Sequence, residues 1–164
     1  MSLKTLKLIY NSLAASYIGY GITAWGACPQ TALSKLQVSQ NKIIRYMHFI
    51  DQYSSINSVL IDQLILTVNQ TYFYEVSKLM HSISNNRNPD AFNEYFTQTQ
   101  HSYSTRNSEN AHYSLPQPRT NIGKRSLCYN GVLVWSKIPN NIKQITNINH
   151  FKELSKQFTV QNIS

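Results

Sequence analysis

Between Lys7 and Lys35 the chain carries no charged side chain, and apolar residues recur through that run at the spacing of a helix face. Leu6, Ile9, Leu13, Tyr17 and Tyr20 follow one another at steps of three and four, while Leu3, Ala14, Ile18 and Ile22 widen the stripe. The pattern predicts a helix over 3–25, ended by Gly26 and Pro29. A helix this apolar must be covered on most sides, by protein or by lipid. Asn11, Ser12, Ser16, Gly19, Gly21 and Thr23 interrupt it too often for a membrane span, so a buried helix is expected and no membrane partner.

The remaining chain extends the helical reading. A second helix is expected over 30–49, with Leu33, Leu36, Ile43, Ile44 and Met47 inward. Ser54 or Ser55 is placed to cap a short helix through Leu64, and Asn69 to cap an amphipathic one to Asn85 with Tyr72, Val76, Leu79, Met80 and Ile83 on one face. Pro89 and Asp90 open a short helix holding Phe92, Tyr95 and Phe96. From Thr97 to Pro118 the composition turns to Gln, Ser, Asn, His and Tyr without apolar periodicity, which reads as a surface connection with room for one strand at Ser102–Arg106. A strand or hairpin is expected over 119–130 around Gly123, then a short helix over 131–145 bent at Pro139, and a last helix capped by Asn149 and carrying Phe151, Leu154 and Phe158. The expected fold is therefore mainly α: a helical bundle with a small β-hairpin or short strands in the C-terminal third. Its segments are a helical pair (1–50), a helical continuation (51–98), a polar connection (99–118) and a small α+β element (119–164).

Charge points to a class of partner. Fifteen Lys and Arg against seven Asp and Glu give a formal net charge of +8, and both parts of the chain are basic. Such an excess favours polyanions through counterion release, without any sequence preference. Lys35, Lys42 and Arg45 recur at steps of seven and three, so they share one side of the second helix, where they either form a solvated face or meet phosphates. Lys4 and Lys7 are weaker candidates. Arg119, Lys124 and Arg125 flank Gly123, where a turn would set backbone N–H groups beside positive side chains, and Arg106 joins them if the connection folds back. The alternative for Arg106 and Arg119 is that they brace the tail through backbone carbonyls. Trp25 and Trp135 read as core anchors. Cys28 and Cys128 form no metal-binding pair and suit a reducing, intracellular compartment, nucleus or cytoplasm.

Three segments resemble one known family, in its order. The first is Leu3-Lys-Thr-Leu-Lys-Leu-Ile-Tyr-Asn-Ser-Leu13 with Tyr20-Gly-Ile-Thr-Ala-Trp-Gly26 and Leu36-Gln-Val-Ser-Gln-Asn-Lys-Ile-Ile-Arg45. The second is His101-Ser-Tyr-Ser-Thr-Arg-Asn107. The third is Pro118-Arg-Thr-Asn-Ile-Gly-Lys-Arg-Ser-Leu-Cys-Tyr-Asn-Gly131 with Val134-Trp-Ser-Lys-Ile-Pro-Asn-Asn-Ile-Lys143. Together they resemble the thumb and post-thumb region of reverse transcriptases from non-LTR (LINE, jockey-like) retrotransposons. Ser104 and Ser136 depart mildly from the pattern, standing where Asn is usual. The resemblance implies a thumb-like role for residues 1–50, packed along a primer–template duplex, and a chain that starts after the catalytic palm.

The acids fit that expectation. The family polymerises DNA with magnesium ions held by an Asp-Asp pair and a third Asp, because paired metals must activate the primer hydroxyl and steady the leaving group. Here Asp51, Asp62, Glu75, Asp90, Glu94, Glu109 and Glu153 include no adjacent pair, and no Walker loop, His-Glu-x-x-His or Gly-x-Ser-x-Gly occurs. His48, His81, His101, His112 and His150 are scattered and read as surface residues. The expectation is a non-enzymatic piece of an RNA-directed DNA polymerase with no cofactor of its own, any Mg2+ belonging to the palm. Its expected partners are an RNA or DNA duplex and the parent palm. The rival expectation is a structural or protein-interaction module, a helical cover for the polymerase core.

Overall fold

Every regular element the structure shows is helical. The computed structural model describes residues 2–97 and 113–163, and among these no strand occurs, only one bridging residue at Tyr113. Arg106 and the strand expected at Ser102–Arg106 lie outside the described residues. The chain divides into two compact units: residues 1–72 with 157–164, and residues 73–156.

In the first unit, α1 (Leu3–Ile9) runs into a π-helical stretch, Tyr10–Ala15, and then α2 (Ser16–Gly19). Ser2 caps it by accepting from the Thr5 N–H. The single helix expected over 3–25 is broken at Gly21, whose φ of +61° is left-handed and natural only for glycine, before α3 (Ile22–Trp25). The inward face also differs from expectation. Tyr10, Ile18 and Ile22 are buried and Leu6 and Ala14 half-buried, whereas Ile9, Leu13, Tyr17 and Tyr20 face outward. The buried set advances in steps of four. An α-helix of 3.6 residues per turn would rotate that set away, but a wider π turn keeps it on one side.

Next come α4 (Gln30–His48), against which α1 packs, and α5 (Asn57–Asp62). Tyr10, Ile44, Met47, Ile56, Leu60 and Ile65 form one apolar cluster, and Ile18, Ile22, Leu33 and Val68 a second. Between them lies an amide network. The Gln40 side chain, 2% exposed, donates to the Tyr10 hydroxyl (2.8 Å) and the Leu66 carbonyl (2.7 Å), and Gln37 accepts from the Val68 N–H at 2.8 Å. These bonds satisfy groups whose burial without partners would be costly.

α6 (Val68–Ser84) starts at a reciprocal capping box rather than at Asn69. The Thr67 hydroxyl accepts from the Gln70 N–H (3.2 Å) and the Gln70 side chain accepts from the Thr67 N–H (3.0 Å). Three helices end without glycine: Phe49, Leu64 and Asn86 sit in the left-handed region just beyond α4, α5 and α6. The next N–H then reaches back five residues in each case, Ile50 to Arg45, Ile65 to Leu60 and Arg87 to Ser82.

The second unit holds most of α6, then α7 (Ala91–Tyr95), a 3-10 turn (Gly123–Arg125), α8 (Leu127–Lys137), α9 (Asn140–Lys143) and most of α10 (Ile148–Asn162). The hairpin expected over 119–130 does not form. Ser126 accepts from the Tyr129 N–H and caps α8, so the apolar residues after it enter a helix. Gly123 has no left-handed φ; it is glycine because a Cβ there would lie 2.6 Å from Pro118 Cβ. α10 is capped by Asn147, which accepts from the Asn149 and His150 N–H groups, two residues earlier than the expected Asn149. The core centres on Trp135, Phe151, Met80 and Val76.

Candidate nucleic-acid interface

Helix pitch decides what α4 presents. Positions 35, 39, 42 and 46 fall on one stripe, and Lys35, Ser39, Lys42 and Tyr46 are all exposed there. Neither lysine ammonium takes part in a hydrogen bond or ion pair among the described residues. Arg45 leaves this stripe: it is half-buried, and its guanidinium donates to the Ser54 carbonyl at 3.3 Å, bracing the turn after α4. Lys7 is also tied down, donating to the Gln63 carbonyl (3.1 Å) and side-chain oxygen (3.2 Å), whereas Lys4 is exposed.

In the second unit Arg119, Lys124 and Arg125 are exposed around the 3-10 turn. The free N–H groups expected of that turn are already spent. Gly123 donates to the Thr120 hydroxyl, Lys124 to the Thr120 carbonyl, Arg125 to Ile122 and Ser126 to Gly123. The turn therefore offers an anion side-chain charge and no backbone nest. The Asn130 side chain holds it in place by donating to the Lys124 carbonyl at 2.9 Å.

Sequence reasoning missed two buried ionisable groups. His81, expected at the surface, is fully buried on α6, stacked on Phe151 with ring centroids 4.0 Å apart, and its Nε2 contacts the Ile145 carbonyl at 2.6 Å. Burial pushes its pKa down; the carbonyl bond opposes the shift and the Arg87 charge adds to it. Lys143 is also buried, with its ammonium 5.6 Å from the Trp135 ring centroid, and burial lowers its pKa. The signal for His81 was present: it follows Ser77 by four residues beside Met80, on the inward face of a strongly amphipathic helix.

Among the described residues no three His, Cys, Asp or Glu side chains gather where they would hold a metal, and Glu75 is paired with Lys78 at 2.7 Å. Cys28 and Cys128 are free thiols. No described helix is long and apolar enough to cross a membrane.

The first unit carries one further feature, an apolar groove of about 380 Å³ lined by residues of α1, the π-helical stretch and α4, among them Ile9, Leu13, Ile43 and Tyr46. No family model, curated protein or solved structure matches the chain.

Proposed function

We propose that this chain corresponds to the thumb and post-thumb region of a non-LTR retrotransposon reverse transcriptase, and that it binds nucleic acid non-specifically through phosphate charge. The three ordered segments support the origin. The observation that carries the binding role is the α4 stripe: Lys35 and Lys42 project from one side of a helix, exposed and committed to no described partner. At about 1.5 Å per residue they stand about 10 Å apart along the axis, close to three base-pair steps of about 3.4 Å on one strand. Arg119, Lys124 and Arg125 add a second cationic group.

Titration of the chain with a primer–template duplex at several salt concentrations tests this. Two to five phosphate contacts give a slope of log K against log salt of about −2 to −4.5. Absence of binding at low salt, or affinity indifferent to salt, overturns the reading.

The apolar groove favours a second reading, a protein-interaction module. Exposed apolar side chains facing each other across two helices suit a partner surface, in the parent enzyme or outside it.

A further inference from the structure

The groove's rims differ in kind, and that difference selects an occupant. Its floor is made by the buried Tyr10 and Met47, one wall by Ile9 and Leu13, the other by Ile43 and Tyr46. Leu13 is 68% exposed and Tyr46 82% exposed, so both walls stand in solvent. Tyr46 also belongs to the α4 stripe that carries Lys42 one turn before it and Lys35 two turns earlier still, which places Lys42 at this rim and Lys35 beyond its end. The other rim, from Ile9 through Ala14, holds no charge; the nearest cation on that side of the groove in sequence is Lys7, which is bonded to Gln63. In the whole first unit the acids are Asp51 and Asp62, against Lys4, Lys7, Lys35, Lys42 and Arg45.

We infer that this groove docks an acidic amphipathic helix: large apolar side chains at i, i+3, i+4 and i+7 fill it, and Asp or Glu on the flank beside α4 meets Lys35 and Lys42. The inference rests on the protein-interaction reading and names its partner. A concave, largely aliphatic trough suits the ridge of a helix better than a flat bilayer. A nucleic-acid strand offers phosphates to the lysines but has no apolar ridge for Leu13 and Ile43. A second copy docked about a two-fold axis would bring the same lysine-bearing rim to its own interface without supplying acids.

The test uses the full 164-residue chain and a fluorescein-labelled amphipathic peptide of about 18 residues, long enough to hold a helix, built of Leu on one face and Glu on the flanks. A twin peptide carries Lys for Glu. The Glu peptide is expected to bind saturably and the Lys twin about tenfold or more weakly at low salt. Leu13→Glu and, separately, Tyr46→Ala should each weaken the Glu peptide about tenfold with unchanged far-ultraviolet circular dichroism, while Leu13→Glu leaves duplex affinity within about twofold.

Equal binding of both peptides overturns the acidic partner and leaves an apolar docking site. Binding of neither peptide overturns both. Two other results also sink the proposal when peptide binding is absent. One is a dimer in sedimentation velocity that Leu13→Glu dissolves, which assigns the groove to a second copy. The other is binding to vesicles of phosphatidylcholine and phosphatidylserine that Leu13→Glu removes, which assigns it to lipid.

Discussion

The two units solve the same problem differently. The second gathers most of its described aromatic residues inward, Tyr95 excepted: Trp135 and Phe151 pack with centroids 6.4 Å apart, His81 stacks on Phe151, and Phe96 meets Tyr113 edge-on at 6.0 Å. The first leaves Tyr17, Tyr20, Tyr46, Phe49 and Tyr53 almost wholly exposed and buries amides instead, with Gln40 and Gln70 in its interior. An amide network cannot titrate, whereas the buried polar groups of the second unit include His81 and Lys143. The contrast teaches that apolar content does not by itself say where a core lies. A unit whose aromatics are inward is closed, while one whose aromatics face solvent has a surface left over for something else.

Each unit holds one tryptophan, Trp25 in the first and Trp135 in the second, so their unfolding can be followed separately. The largest effect is expected from Phe151→Ala, which empties the centre of the second core at a cost of about 3–5 kcal/mol. In chemical denaturation the Trp135 transition should fall well ahead of that of Trp25. An equal fall of both would show one cooperative body and erase the contrast. Next comes Gln40→Leu in the first unit, which strands the Leu66 carbonyl and the Tyr10 hydroxyl at about 1–3 kcal/mol. Here the Trp25 transition should move most.

Opposite pH limits sharpen the comparison further. Burial holds the Tyr72 phenol, which has no partner, up to about 12, and raises Tyr10 despite its bond from Gln40. Native tyrosines that keep their protons above the unfolded value of about 10 contribute stability that is complete below it and lost as pH rises through 10 toward 12. Tyr72→Phe should remove part of that alkaline loss. Tyr74 gives the second unit an alkaline limb too, so the acid side discriminates. His81 is held below its unfolded value of about 6.5, so its contribution is complete above that pH and declines as pH falls below it. His81→Gln, which retains a donor for the Ile145 carbonyl, should flatten the acid decline seen through Trp135; an unchanged profile would remove His81 from the account. The smallest stability effect belongs to Lys35→Ala with Lys42→Ala, within about 0.5 kcal/mol. The same pair should lower the magnitude of the duplex salt slope by about 2.

Much of this organisation was legible in the chain. The helix over 30–49 emerged as Gln30–His48 and the one ending near Asn85 as Val68–Ser84, because long segments with a regular apolar period leave little choice of element. Helix ends were less legible. Phe49, Leu64 and Asn86 take the left-handed cap that glycine usually fills, so no stop signal marked them. Of the candidate cations, Lys35, Lys42, Arg119, Lys124 and Arg125 stand exposed, while Arg45 is bonded to Ser54 and Lys7 to the distant Gln63, contacts that no spacing rule foretells.

Composition and periodicity alone determined that this chain is helical and basic, since these follow from residue identity and short-range spacing. Which apolar residues are covered was decided only in three dimensions. The π turn at Tyr10–Ala15 sets which side chains face inward from there to Gly21, leaving Leu13 and Tyr17 in solvent and Ile18 buried. The hydrogen-bond register that makes this change depends on what the helix packs against, and a periodicity count has no access to that.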